Sequence, residues 1–128
     1  MPYIADMNKA NNLVAAKHLV GNGQCVTFVH AVVPIPPSSL WHRGERVKDA
    51  VHIAPGTIIA TFDDDGRYGN HTNGTSHAAV FLRHTPAGIV VLDQWRGNPD
   101  QPPHQRTLRF MGGHGKKVND GDQFYVVQ

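Results

Sequence analysis

Three residues of the right types for nucleophilic catalysis stand apart in the chain: Cys25, His77 and Asp93. Cys25 is the only cysteine among the 128 residues. It sits in the stretch Gly21-Asn22-Gly23-Gln24-Cys25-Val26-Thr27-Phe28-Val29-His30, where two glycines break the chain and Val26, Val29 and Val33 then recur at helical spacing. The pattern predicts a tight turn feeding a helix with Cys25 in its first turn. Unpaired N–H groups and the positive dipole end of such a helix favour a thiolate over a thiol. A free cysteine titrates near ~8.5 and drops by several units in such a place. Most lone cysteines are small buried hydrophobes, so the weight rests on what stands near this one.

His77 opens the apolar run Ser76-His77-Ala78-Ala79-Val80-Phe81-Leu82, and Asp93 comes near the end of the next, Ile89-Val90-Val91-Leu92-Asp93-Gln94-Trp95. The short turn Thr85-Pro86-Ala87-Gly88 between them predicts an antiparallel hairpin. The start of one strand then lies beside the end of its neighbour, and His77 and Asp93 share a face. If the helix of Cys25 packs its N-terminus there, the three become a nucleophile, a base and the group that orients the base. Gln94 points the opposite way and is the rival third member. The backbone N–H of Cys25 is the first candidate oxyanion donor, with a side-chain amide from Gln24 or Asn22 as the second.

These residues need elements to hold them. Residues 8–20 read as a first helix, capped by Asp6 or Asn8, and residues 24–33 as a second, stopped by Pro34. Ser38 and Ser39 offer a cap for a short helical turn holding Leu40, Trp41 and Val47, with Trp41 packed on the core. Strands are expected over 57–62, 76–82, 89–95, 106–110 and 123–127. A polar loop spans 63–76, Pro99, Pro102 and Pro103 mark another, and Gly112-Gly113-His114-Gly115 reads as loose. Loops 63–76 and 112–115 would flank the cleft and could close over a substrate. Helices first and strands second predict an α+β fold with one antiparallel sheet of about five strands, a typical size. The whole chain, 1–128, reads as one domain.

Composition excludes several classes. The formal charge is +2, and the basic residues, Lys116-Lys117 and Arg106/Arg109 included, are scattered rather than gathered into a nucleic-acid footprint. One cysteine forbids an internal disulfide and any multi-cysteine metal site. No run approaches the ~20 apolar residues of a membrane span. The first residues lack a basic start and apolar stretch, so a secretory signal is not expected and synthesis in the cytoplasm is. Asp63-Asp64-Asp65-Gly66 with His71 suggests a calcium or carbohydrate module, but lacks the alternate spacing and later glutamate of a calcium loop.

The order Gly-Gln-Cys-Val-x-Phe-Val, a strand led by Pro-Gly, Ser-His-Ala-Ala-Val-Phe and Val-Val-Leu-Asp-Gln-Trp resembles the papain-like cell-wall amidases, the NlpC-type and CHAP enzymes. The match runs from about Gly21 to Trp95. It implies a papain-like fold, a cysteine amidase or peptidase acting on peptidoglycan stem peptides through an acyl-thioester, and Cys25, His77 and Asp93 as its catalytic residues. No cofactor or metal is implied. The small size further resembles type VI secretion amidase effectors, which act in a rival cell's periplasm and imply a cognate immunity protein as partner. Two departures stand out. The third position is Asp followed by Gln-Trp, not the Glu-x-Asn or His of many relatives. A tyrosine commonly found shortly before the cysteine is absent, leaving His18 or Asn22 to serve. The same three residues would also suit a thioester acyltransferase. A non-catalytic cell-wall-binding domain of this fold would rest on Trp41, Phe62, Phe81 and Trp95.

Overall fold

A computed structural model describes residues 1–128. Helix α1 (Met7–Ala16) is capped by Asp6, whose carboxylate accepts the Lys9 N–H at 3.2 Å. It ends four residues before the expected boundary, because Lys17 adopts a left-handed conformation and turns the chain out of the helix. Helix α2 (Cys25–Val32) begins at the cysteine and stops at Val33, which is extended ahead of Pro34.

Six strands follow: β1 (Arg43–Arg46), β2 (Ile58–Thr61), β3 (Ala78–Thr85), β4 (Gly88–Trp95), β5 (Gln101–Arg109) and β6 (Phe124–Val127). They form one antiparallel sheet in the order β1-β6-β2-β3-β4-β5. The architecture is the expected α+β, papain-like one, with six strands where the sequence suggested about five. The extra strand is β1, in the stretch read as one short helical turn. A single 3-10 turn at Ser38–Leu40 and another at Val47–Asp49 flank it. Its residues alternate no apolar face, and it exists because β6 offers an edge. Trp41 is buried as expected, with its indole N–H on the Pro36 carbonyl at 2.9 Å.

Strand β5 starts five residues earlier than expected, through Pro102 and Pro103. It is an edge strand, so the N–H groups those prolines lack are not needed by a second neighbour. The Gly-rich segment is not loose at its start: the Asp120 carboxylate accepts the N–H groups of Met111 and Gly113 at 2.9 and 2.8 Å.

The sheet separates two cores. On one face α2 lays Phe28, Val29 and Val32 over Ala60, Ala78, Val80 and Leu92. On the other, Ile59, Ala79, Phe81, Val91, Leu108 and Phe124 pack together. Burying one such side chain contributes about 1.5–3 kcal/mol. This packing fixes the N-terminus of α2 against one end of β3 and β4.

Candidate active site

The turn before α2 has a conformation that only its glycines accept cheaply. Gly21 and Gly23 have φ of 55° and 83°, and a Cβ on Gly21 would sit 2.7 Å from the Thr27 side chain. The Asn22 side-chain oxygen accepts the Gln24 N–H at 3.0 Å and the Thr27 hydroxyl at 2.5 Å. Asn22 is therefore spent on shaping the turn, and it does not line the cleft. Gln24 does line it, at the N-cap of α2, and makes no side-chain capping bond.

Asp93 and Gln94 divide the work by strand alternation. Gln94 is fully buried on the α2 face and grips the chain before the cysteine. Its oxygen accepts the Val20 N–H at 2.9 Å, and its Nε2 donates to the carbonyls of Gln24 and Val20 at 2.8 and 3.1 Å. It braces the turn and does not meet His77. Asp93 faces the other side. The register Val80↔Leu92, carried to the end of the hairpin, sets it diagonally across from His77. His77 Nε2 donates to Asp93 Oδ2 at 2.7 Å, with both side chains buried. The His77 backbone N–H is held by the Thr61 hydroxyl at 3.0 Å.

With Nε2 given to Asp93, Nδ1 is the nitrogen left to serve Cys25, and the two groups each favour the charged form of the other. Burial pushes the Cys25 thiol up, but the His77 hydrogen bond and charge, the Tyr68 hydroxyl and the Ala78 N–H outweigh it and hold the thiol below its ordinary range. Burial alone would lower His77. The hydrogen bond to Asp93, with the bond and charge of Cys25, instead raises it to about 9. The Asp93 carboxyl, which burial would raise, is held below its usual range by His77 and then by Arg106. The shifts thus all favour a thiolate beside an imidazolium over a carboxylate.

Two contributors were not legible as such in the sequence. Tyr68, from the loop between β2 and β3, places its hydroxyl 3.6 Å from Cys25 Sγ. Burial, then the Cys25 charge, pushes its phenol well above the ordinary value, so it stays a donor. It takes the place next to the thiol for which His18 or Asn22 was the sequence candidate. His18 lies exposed on the turn after α1, its ring on the Leu19 carbonyl. Arg106, on β5, donates from Nε to Asp93 Oδ2 at 2.8 Å and lies over the Trp95 ring at 4.7 Å. The register Asp93↔His104 puts it diagonally across from Asp93, a relation visible only once β5 is known to be a long strand.

Cys25 and His77 open onto a cleft of about 630 Å³. One wall is the cysteine turn with Trp95 and Arg96, and the other comes from residues 71–76 and the segment Lys116–Asn119. Loop 63–76 thus forms a wall, whereas 112–115 does not reach the cleft. The acidic run does not converge on a centre. Asp63 pairs with His71 at 2.8 Å, Asp65 accepts the Arg67 N–H at 2.9 Å, and no group of three or more His, Cys, Asp or Glu side chains is arranged to hold a metal ion.

Comparison with known proteins agrees with this architecture. The profile of the domesticated amidase effector 2 family matches residues 5–127. A type VI secretion amidase effector 2 protein of Salmonella typhi is 31% identical over 137 residues, covering 100% of each chain. A domesticated amidase effector 2 of Ixodes scapularis is 38% identical over 89 residues, which are 69% of this chain and 56% of that one. A solved type 6 secretion amidase effector 2 is similar with a TM-score of 0.82 and 29% identity, over 98% of this chain and 94% of that one. The match runs through the turn of Cys25, the hairpin of His77 and Asp93 and every strand of the sheet: the chain belongs to the domesticated amidase effector 2 family.

Proposed function

We propose that the protein is a cysteine amidase that hydrolyses an amide bond in peptidoglycan stem peptides, with residues 1–128 working as one papain-like unit. The observation that carries this is the Cys25 thiol at the start of α2, electrostatically coupled to an imidazole whose Nε2 is held by a buried carboxylate, all at one cleft. The amidase names of its relatives support the reaction class.

In this reading the Cys25 thiolate attacks the scissile carbonyl carbon. The carbonyl π electrons move onto oxygen, where the Cys25 backbone N–H, free at the helix start, and the Tyr68 hydroxyl stabilise them. Gln24 is a further amide within the same wall. Collapse breaks the C–N bond, and the His77 imidazolium gives its proton to the leaving amine. Neutral His77 then takes a proton from water as the water attacks the acyl-thioester. Collapse releases the new carboxylic acid and the Cys25 thiolate, and His77 ends protonated. Asp93 holds the imidazole in one tautomer throughout.

The type VI secretion named in its relatives supports delivery through such an apparatus; action in a target-cell periplasm and an immunity protein in the producing cell belong to the same proposal. No helix is long and apolar enough to cross a membrane. The test is digestion of purified peptidoglycan by the native protein and by Cys25→Ala, with soluble fragments read by mass spectrometry. The native protein releases new amine and carboxyl ends, and the variant loses at least about a thousandfold of that rate. Equal release by a folded Cys25→Ala protein would overturn the cysteine mechanism. Release by neither would overturn the amidase.

A further inference from the structure

The cleft is electrically one-sided in a way the whole chain is not. The chain carries 12 Lys and Arg against 10 Asp and Glu. Among the 14 residues lining the cleft there is no Asp or Glu, while Arg96, Arg106 and Lys116 all reach it. Arg106 is already committed: besides Asp93, its Nη1 donates to Asn119 Oδ1 at 3.1 Å, and its face covers Trp95. The other two cations have no carboxylate partner, for neither takes part in any of the protein's ion pairs.

Both are nevertheless placed. Arg96 Nη1 donates to the Asn22 carbonyl at 3.2 Å, which lays the guanidinium along the cysteine-turn wall and leaves its other N–H groups free. Lys116 runs its methylenes over Gly74, with Cδ 3.6 Å from where a glycine Cβ would stand. The Val118 N–H ties the same segment to the Gly74 carbonyl at 3.3 Å. One unpaired cation thus stands on each wall, with the Cys25–His77 pair between. A cleft lined by one sign focuses its field and concentrates ligands of the other.

We propose that Arg96 and Lys116 are a carboxylate-reading pair, so that the cleft selects peptides bearing free carboxylates beside the scissile amide. The inference rests on the amidase reading and adds to it which feature of the peptide is recognised. Arg96 binds a carboxylate by a planar fork and Lys116 as a point charge.

The test uses two cross-linked stem peptides, one with free carboxylates and one with those carboxylates converted to carboxamides. The native protein is expected to show a KM about tenfold lower for the free acid, and that preference shrinks with added salt. Lys116→Gln and Arg96→Gln each raise KM for the free acid by about three- to tenfold with little change in kcat, and neither changes KM for the carboxamide. Lys9→Gln, on the exposed face of α1, serves as the charge control. Equal KM for both peptides in the native protein, with cleavage of both, overturns the carboxylate reading and leaves the amidase intact. If neither peptide is cleaved, the amidase reading fails, and binding of the two peptides to Cys25→Ala decides the inference alone. Tighter binding of the free acid, weakened by Lys116→Gln, supports it, and equal binding overturns it.

Discussion

Asp93 and Asp122 are both buried carboxylates with one oxygen lacking a hydrogen-bond partner, yet they sit at the ends of different chains of contacts. Asp122, just before β6, collects Lys48 at 3.0 Å and Arg46 at 3.5 Å. Both cations are more than a third exposed, and nothing reactive lies beyond them. Their effect is to staple β1 and the turn after it to the start of β6. Asp93 faces a buried imidazole, and the imidazole faces the only thiol of the chain. Burial of a charge, common to both, does not mark function. What marks it is whether the charge is passed through a titratable group to a nucleophile in a cleft.

Exchanging each carboxylate for its amide should separate the two regions. Asp93→Asn lets the His77 ring turn or take the wrong tautomer, and kcat is expected to fall about a thousandfold while the protein stays folded. A Tyr68→Phe protein tests the donor beside the thiol. The loss of one oxyanion donor costs about a hundredfold in kcat, whereas a purely packing role for Tyr68 would leave kcat within a fewfold. The pH profile is the next smaller effect. His77 is raised from 6.5 to about 9, so activity that needs the imidazolium declines as pH rises through about 9. An alkaline limb near 6.5 would contradict the Asp93 contact. The same shifts act on stability. The contribution of His77 is fully present below 6.5 and is lost as pH rises through about 9. That of Asp93 is present above 3.8 and is lost as pH falls through its depressed value. Least affected in rate should be Asp122→Asn, within twofold of the native kcat, with about 1 kcal/mol lost in a denaturant titration. A large rate loss there would erase the distinction between the two sites.

The pairing of His77 with Asp93 was legible because a short turn fixes an antiparallel register, and the register decides which residues meet. The place of Cys25 at a helix start was legible because glycines and helical periodicity bracket it. Tyr68 was not, because a loop brings it to the thiol from 43 residues away and no periodicity records such a contact. Arg106 looked like one of several scattered basic residues until β5 proved to run back through two prolines and set it beside Asp93. Strand β1 was hidden for a related reason. Its sequence is polar, and its conformation comes from the edge it pairs with rather than from its own residues. Gln94, weighed as the rival to Asp93, turned out to hold the cysteine turn from the opposite face, as strand alternation requires.

Cys25 is expected to ionise readily because His77 and Asp93 stand behind it. As the only cysteine, Cys25 can be alkylated with iodoacetamide and the rate followed against pH without interference. The native thiol is expected to titrate below the ordinary thiol value, and Asp93→Asn is expected to move the curve upward. A native thiol that titrates at or above 9.0, or a curve that Asp93→Asn leaves in place, would contradict this.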